Sequence, residues 1–492
     1  MLKKVQQDRL KKLQAVRELG IDPYGGRYDT AEAIGGVLAR YEDDRDGQQA
    51  DAAGRLILIR DMGKLIFAHI RDESGQMQIA LRKDRPDKPP RGLGETQWLL
   101  AKLLDLGDLV AVAGPLQRTK TGEITIWAEK LTLLAKSLNP MPEKFHGLHD
   151  VETRYRRRYL DLMTNPQSMA TFKKRIAIVE YFRTVLKARG FAEVETPVLQ
   201  PIYGGGAARP FTTHHNTFEV DLYMRVSPEL YLKRLLVGGM EKVFEIGRQF
   251  RNEGTDTRHN PEFTMMELYQ AYGDMEVMME ITEQLVSGAA AAVSGGTKLD
   301  YGELELDFTP PWPRETYEDM FFQHVGVSMR DVAAVRAKAR ELEIEEANKD
   351  DAVVVNDIFE AIVEPGLAKR SRPVFVRDYP AEICPLTRRK ADDPSVALRF
   401  EAFAAGMELA NAYTELNDPA VQEANFTQQL RGEGDAAAMR VMDEDFITAL
   451  RHGMPPAGGL GIGVDRVVML LTNTQSIRDV ILFPLLRPEV KE

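Results

Sequence analysis

The sequence predicts an α+β protein in which a small barrel of short strands precedes a larger body built on an antiparallel sheet flanked by helices. Three observations carry this expectation. Residues 54–138 read as short strands, GRLILIRDMGKLIFAHIRD, GQMQIAL, DLVAVAGPLQRT and GEITIWAEKLTLLA, separated by turn residues and one longer segment near Trp98 and Leu106. Two strand-like segments, KVFEIGRQFR at 242–251 and residues 263–269, flank a polar loop and suit an antiparallel pair. Near the other end, GGLGIGVDRVVMLL at 458–471 joins a glycine-rich strand to an apolar helix with Arg466 in its first turn.

Length and composition fit an enzyme-sized globular protein. With 492 residues, 43% of them apolar, the chain suggests about three domains and can bury ample core. A single cysteine, Cys384, rules out internal disulfides and thiolate zinc clusters. No long apolar run or secretory leader is present, so a cytoplasmic protein with no membrane partner is expected. The net charge of −11 is unevenly spread: residues 1–150 carry 24 basic and 22 acidic side chains, the remainder 40 and 53. An acidic chain still binds polyanions through local basic patches, because the Debye length is about 8 Å at physiological salt.

Along the chain, residues 1–53 form an N-terminal helical extension and linker. Lys3, Lys4, Arg9, Lys11, Lys12 and Arg17 share a helix with Leu2, Val5, Leu10, Leu13 and Val16. It can lie along an RNA backbone or dock by its apolar stripe as a solvated helix, and the sequence leaves both open. The stretch EDDRDGQQADAAG at 42–54 is polar and turn-rich, as a linker or surface loop would be. Residues 54–142, with five strands and a helix, predict an OB-fold barrel. Such barrels stack bases on aromatics, and Phe67 in KLIFAHI is the candidate platform, although composition alone reads it as core. Residues 143–170 are a hinge carrying the basic run Arg154, Arg156, Arg157 and Arg158, which suits either a phosphate contact or a helix tied by salt bridges. Residues 171–492 form the body. It opens with an amphipathic helix, TFKKRIAIVEYFRTVLKARG, that Gly190 would stop, followed by the strand FAEVETPVL. Residues 274–351 read as a helical insertion without site residues.

The chemistry concentrates in FRNEGTDTRHNPEFTMMELY at 250–269, where an arginine, a glutamate, a histidine and a phenylalanine surround the polar loop. It reads as a nucleotide site. Gly459, Gly461 and Gly463 alone are a weak dinucleotide signal, since the required spacing and strand-helix-strand context are missing. His214 and His215 lack a third ligand at usable spacing for zinc and read as structural. In RFEAFAAGMELANAYTELND, Glu401 and Glu408 stand seven apart, which on spacing alone reads as surface acids or one face of a helix, whereas two strands turning near Gly406 would bring the carboxylates together.

Together, the F-R-N-E loop and the G-L-G-I-G-V-D-R strand and helix resemble motifs 2 and 3 of class II aminoacyl-tRNA synthetases, and the helix and strand at 171–198 resemble motif 1. The strings HNPEFTMMELYQAY and ELANAYTELND resemble bacterial-type lysyl-tRNA synthetases in particular, and the likeness covers nearly the whole chain. The resemblance implies a class II catalytic domain on an antiparallel sheet, a homodimer through the motif 1 region, and ATP, L-lysine and tRNA(Lys) as substrates with Mg2+ as cofactor. Arg251 and Arg466 would be the catalytic residues. ATP would be held by Arg251, Glu253, Arg258, His259, Asn260, Phe263, Glu401, Gly463 and Arg466, with adenine between Phe263 and Arg466. Lysine would contact Gly205, Glu229, Arg251, Glu267, Tyr269, Asn411, Tyr413 and Glu415, with Glu229 taking the α-amino group and Glu267, Tyr269 and Glu415 around the side-chain end. Glu401 and Glu408 would bind the metal, and Arg60, Phe67, Gln78 and Glu129 the anticodon.

This sequence departs from the family pattern at Ala412 and Tyr413, where Gly and Phe are common, at Gly247, where asparagine is usual, and in the triple glycine at 204–206. An aspartyl-type enzyme of the same architecture is opposed by the acidic pocket, because an aspartate site needs cationic or amide groups at that end. A silent RNA-binding regulator would have lost Arg251, Glu253, Arg466 or the metal acids, all present here. A paralogue that lysylates a protein would resemble only the body and lack the barrel.

Overall fold

The chain folds as two units, Met1–Gly147 and Leu148–Glu492, and the computed structural model describes residues 2–42, 47–84, 91–142, 150–206, 208–431 and 442–489. Part of the proline-rich 83–95 loop and the start of the 143–170 hinge lie outside the described residues.

The first unit contains α1 (Leu2–Glu18), α2 (Ile34–Ala39), β1 (Gln49–Asp61), β2 (Leu65–Arg71), β3 (Gln76–Arg82), α3 (Glu95–Leu103), β4 (Leu109–Arg118), β5 (Ile124–Trp127) and β6 (Lys130–Ala135). The strands run in the order β1-β2-β3-β5-β4-β6, and β1 also pairs with β4, closing the barrel. β1 does both because it is long: residues 49–55 pair with β4 and 55–61 with β2. The barrel therefore begins at Gln49, inside the stretch expected to be a loop. Its buried residues there, Ala50 and Ala52, are too small to announce a strand among polar neighbours. The last expected strand is two, β5 parallel to β3 and β6 antiparallel to β4. Gly114 of β4 permits that break, since a Cβ there would lie 2.0 Å from the Trp127 carbonyl oxygen.

Of the two readings of α1, docking is the one observed. Leu13 and Val16 are buried. Arg9 is buried too, donating to the carbonyls of Leu106, Ser137 and Asn139. Lys12 reaches Asp105 at 2.6 Å, and Asp105 and Asp108 share the fully buried Lys136 at 2.7 Å each.

The second unit follows the order α4 (Val151–Arg156), α5 (Arg158–Thr164), α6 (Pro166–Ala188), β7 (Ala192–Glu193), β8 (Leu199–Gln200), β9 (Thr212–His215), β10 (Val220–Met224), α7 (Glu229–Val237), β11 (Lys242–Phe250), β12 (Glu262–Ala271) and α8 (Met275–Ser294). It continues through β13 (Lys298–Tyr301), β14 (Leu304–Asp307), β15 (Arg314–Thr316), α9 (Tyr317–Val325), α10 (Val332–Glu341), α11 (Asp351–Ile358), α12 (Glu364–Leu367), β16 (Val374–Pro380), β17 (Val396–Ala404) and β18 (Met407–Thr414). It closes with α13 (Pro419–Arg431), α14 (Glu444–Arg451), β19 (Ala457–Gly463), α15 (Val464–Leu471) and α16 (Ile477–Val480). Eight strands form one sheet, β15-β16-β17-β18-β19-β12-β11-β7, antiparallel except for the two outermost pairs.

α6 starts where Asn165 accepts the Gln167 amide and Pro166 has no N–H to satisfy, and it stops at Gly190, whose φ of 85° suits the left-handed region. Its Ile178, Phe182 and Leu186 join α8 and α15 on one face of the sheet. α8 is part of this central core through Met278, Leu285 and Ala289, so the expected 274–351 insertion does not behave as one body. α9, α10 and α11 instead share a separate cluster around Tyr317, Val335 and Ile358. Two members of the basic run are tied by ion pairs to Asp161: Arg158 is fully buried, pairing with it at 2.7 Å and donating to the carbonyls of Arg478, Ile481 and Leu482, while Arg154 also binds it, and Arg157 is exposed.

Gly114→Ala is expected to cost about 1–3 kcal/mol through backbone displacement between β4 and β5. Denaturant unfolding of the full chain checks it; an unchanged midpoint would mean that the two strands separate freely at Trp127.

Candidate functional site

The antiparallel register of β11 and β12 sets Gln249 opposite Phe263 and Glu245 opposite Glu267, leaving 251–261 as the loop between them. With β18, β19 and the start of α15 this loop encloses a cavity of about 240 Å³. Arg251, Glu253, Arg258, His259, Asn260, Phe263, Glu408, Asn411, Gly463 and Arg466 all line it. The Arg251 guanidinium lies 5.1 Å from the Phe263 ring centre. Arg466 donates to the Glu408 carbonyl at 2.8 Å and sits 3.1 Å from His259 Nε2. Two buried polar atoms on the lining, Arg251 Nε and Asn260 Oδ1, have no hydrogen-bond partner. Such groups are usually completed by ordered water, an ion or a ligand.

Asp256, which sequence reasoning missed, orders the loop. Its carboxylate accepts from the amides of Arg258 and His259 and meets His259 Nδ1 at 2.8 Å. Burial works against its ionised form, but the hydrogen bonds prevail and hold the carboxyl below its usual range. An aspartate two and three residues before the amides it accepts is a local turn signal that could have found it. Arg258 extends to the Gly406 carbonyl at 2.8 Å. On the far side, Asp465 ties α15 to Arg175 of α6 and to the Thr264 amide.

Glu401 and Glu408 occupy the β17–β18 hairpin, turning at Ala405 and Gly406. They do not face each other: Glu401 is opposite Asn411, and Glu408 opposite Phe403 beyond a bulge. Glu408 lines the cavity. Glu401 lies deeper, paired with Arg399 and accepting from Tyr379 at 3.0 Å. Burial pushes its carboxyl up to about 7, with Arg399 opposing and Glu408 adding to the rise. Glu364 of α12 also belongs here; burial first, then Glu401, Glu360 and Glu408, push it up to about 8. Among the described residues no group of three or more His, Cys, Asp or Glu side chains has metal-binding geometry. His214 pairs with Asp221 on an exposed hairpin and His215 stacks on Phe218.

Beside the cavity lies a closed acidic pocket. Glu229, Glu267, Tyr269 and Glu415 are all buried. Ser227 donates to Glu267 at 2.9 Å and its oxygen accepts the Glu229 amide. Burial and then the charge of Glu229 push Glu267 up to about 8, while Ser227, Arg251 and Arg225 pull it down. Gly205 approaches with a φ of 79°, and a Cβ there would lie 2.9 Å from the Glu229 Cβ. Gly459 does not floor the cavity as Gly461 and Gly463 do. A Cβ at 459 would come within 2.0 Å of Glu415 Oε1 and 2.4 Å of the Tyr269 ring, so this glycine makes room for the acids.

Sequence reasoning also missed Lys233, fully buried, with its ammonium 2.7 Å from Glu229 Oε1 and 2.5 Å from Glu415 Oε2. The i,i+4 spacing of Glu229 and Lys233 on α7 was the available signal. Asn411 accepts from Arg399 Nε at 3.2 Å, and the Arg399 guanidinium lies 5.7 Å from the Tyr413 ring. The departure at Gly247 has a steric reason: a Cβ there would lie 2.3 Å from the Arg225 guanidinium, which pairs with buried Glu245.

On the barrel, Phe67 alternates with buried Ile66 and Ala68 and lies half-buried on the outer face. Arg60, Phe67, Ala80 and Trp127 form one cross-strand row. Phe67 meets Trp127 edge-on at 6.2 Å, with the Arg82 guanidinium 5.2 Å from the Trp127 ring. Trp127 was not foreseen. Arg60 and Glu129 are exposed. Gln78 is buried, its amide already bonded to Glu123 at 2.6 Å and Thr125 at 2.8 Å.

Residues 150–487 match the family of tRNA synthetases class II (D, K and N), and residues 52–134 match the OB-fold nucleic acid binding domain. The chain is 49% identical to the lysine–tRNA ligase of Pelotomaculum thermopropionicum, over 98% of this chain and 94% of that protein. It is 49% identical to that of Moorella thermoacetica, over 98% and 97%, and 48% identical to that of Syntrophomonas wolfei, over 100% and 98%.

The raised Glu267 carboxyl has a consequence for stability. The folded state keeps a proton there that the unfolded chain releases near pH 4.3, so the contribution is full below that value and lost as pH rises through about 8. Without ligand, the parent should lose stability between pH 6 and 8 more steeply than Glu267→Gln, by up to about 1.4 kcal/mol per pH unit. Parallel slopes in denaturant titrations would mean that Glu267 is already ionised.

Proposed function

Because the chain belongs to the class II tRNA synthetases and matches lysine–tRNA ligases along its full length, we propose that it joins L-lysine to tRNA(Lys) in two displacements. First, a lysine carboxylate oxygen attacks the α-phosphorus of ATP, forming lysyl-adenylate and releasing pyrophosphate. A ribose hydroxyl at the 3′ end of tRNA(Lys) then attacks the acyl carbon, and AMP leaves. The observation that carries this reading is the contiguity of two opposite environments. The cavity holding Arg251, Arg258 and Arg466 adjoins the pocket of buried acids, close enough that the Arg251 charge acts on Glu267.

In this reading Arg251 neutralises the α-phosphate and orients the lysine carboxylate, for which a planar two-pronged cation is suited. Its unpartnered Nε supports that role. Phe263 and Arg466 take adenine between them, Asn260 reads its edge with its free Oδ1, and Glu253, Arg258 and His259 face the remainder of the nucleotide beside Gly463. Glu229 receives the α-amino group near Gly205. Glu267, Tyr269 and Glu415 surround the side-chain ammonium, with Asn411 and Tyr413 completing the wall. Positioning and charge do the catalysis, and no protein nucleophile is required. The hard oxygen donors of Glu401 and Glu408, whose charges interact across the hairpin, fit Mg2+. These residues would hold the ion, which when bound offsets phosphate charge.

The 54–142 barrel would read the anticodon through Arg60, Phe67 and Glu129, and the half-buried outward Phe67 supports stacking. Gln78 would contribute through its bonds to Thr125 and Glu123. Exposed Ile176 on α6, with Val198 and Leu199 beyond it, supports a second copy covering the motif 1 region. A tRNA substrate supports a cytoplasmic location. Among the described residues no helix is long and apolar enough to cross a membrane.

Arg251→Ala should lower lysine-dependent exchange of pyrophosphate into ATP by about a thousandfold or more, the scale of losing an oriented charge at the reacting phosphate. Near-parental exchange would remove Arg251 from its role. Phe67→Ala should leave exchange within about twofold and reduce kcat/KM for tRNA charging by about 10–100-fold, as expected for loss of one base stack. Unchanged charging would reject the anticodon contact.

A further inference from the structure

The best-buried cation of the pocket is the chain's own. Lys233 has no exposed surface, and its ammonium bridges Glu229 on its own helix and Glu415 just beyond β18. An ammonium buried for packing alone needs one counter-charge, whereas this one spans two acids brought together from distant parts of the chain. Glu415 Oε1 is buried, has no partner and is kept clear by Gly459. An acid oxygen left open beside an ion pair is where a second cation would be received.

We propose that Lys233 is a positioning residue that sets the pocket's specificity. It orients Glu229 and Glu415 by holding one oxygen of each, and it leaves Glu415 Oε1 open toward the substrate ammonium. This rests on the reading that those acids receive substrate lysine. Glu267 and Glu415 are both pushed up to about 8 by burial, and at Glu415 the Lys233 charge opposes that rise. Without Lys233 that acid would hold its proton more firmly and offer the substrate a neutral group where it needs an ion.

The charged and titratable groups facing Lys233 are Glu229 on α7, Glu267 and Tyr269 on β12, and Tyr413 and Glu415 at the end of β18, with Arg225 and Arg251 beyond Glu267. Burial pushes Glu415 up, Lys233 opposes this, and Glu229 adds to it. Removing Lys233 therefore moves Glu415 further upward.

The test uses the full-length protein, with lysine-dependent pyrophosphate exchange from pH 6.5 to 9 and thermal unfolding of Lys233→Gln, Lys233→Arg and Glu415→Gln. In Lys233→Gln the lysine KM should rise at least about tenfold at neutral pH, as expected when a buried pair loses one partner. The ATP KM should stay within about twofold. The variant's lysine KM should improve with rising pH, its profile displaced upward by about one unit, because the acids must first lose their protons. Lys233→Arg keeps the charge and should hold the lysine KM within about fivefold of the parent. A folded Lys233→Gln with parental lysine KM and pH profile would overturn the proposal. Should that variant not fold, a folded Lys233→Arg as impaired for lysine as Glu415→Gln would overturn it instead. A parental lysine KM in Glu415→Gln would remove the assignment of the pocket itself, whatever the Lys233 variants do.

Discussion

Burying three carboxylates in one pocket is the constraint on which the catalytic body is organised. An uncompensated buried carboxylate costs several kcal/mol, and removing one partner of a buried pair typically costs about 3–5 kcal/mol. Each neighbouring element bears the mark of that cost. α7 opens with Glu229 and sets Lys233 one turn later, on the face that reaches Glu415. Ser227, just before the helix, donates to Glu267. Gly205 and Gly459 are bare because atoms of the acids and Tyr269 fill the volume a Cβ would take. The local sequence is fixed less by strand or helix preference than by the need to surround charge with charge, hydroxyl or empty volume.

Some ion pairs of the body are finished within the protein, while unpartnered buried atoms occur both at the site and away from it, as at Arg234 Nε and Arg372 Nε. Arg225 with Glu245, Arg175 with Asp465 and Arg158 with Asp161 are closed arrangements whose polar atoms find partners within the protein. Of these, Arg175 with Asp465 ties α6 to α15, and Asp465 in turn holds the Thr264 amide of β12. Arg251 Nε, Asn260 Oδ1 and Glu415 Oε1 are buried without partners. Gly247 belongs to the finished set: the larger residue usual in the family is absent where the Arg225 guanidinium stands. That departure changes the support of the site and leaves its lining intact.

Legibility followed the range of the interaction. The β11–loop–β12 unit and the β19–α15 junction were readable because their apolar and glycine spacing is local, and the outward placement of Arg60 and Phe67 follows from strand alternation. The start of β1 was not readable, since Ala50 and Ala52 bury too little side chain to stand out. Nor was the break at Ala128, where β5, paired with β3 and the end of β4, gives way to β6 on the first half of β4. α8 looked like part of an insertion because its Met- and Ala-rich face gains meaning only against Leu268, Leu460 and Val468. Lysines and arginines in helices are usually surface charge; Arg9 is turned inward by carbonyls remote in sequence, and Lys233 by Glu415 together with the local Glu229.

The barrel and the pocket meet the problem of selectivity with opposite physics. The pocket excludes water, so one missing ammonium leaves a buried acid unpaired and discrimination can be steep. The barrel face keeps its aromatics half in water. Phe67 meets Trp127 edge-on across the small Ala80, with Arg82 beside the Trp127 ring, and stacking on an aromatic accepts any base because every base has a π-face. In the proposed reading, base identity must therefore come from polar groups around the aromatic row. Gln78 is tied internally through Thr125 and Glu123, which makes its carboxamide a fixed dipole instead of an adaptable one. Arg60 at one end of the row and Glu129 both retain exposure and carry opposite charge, and an edge offering both an acceptor and a donor is what such a pair distinguishes best.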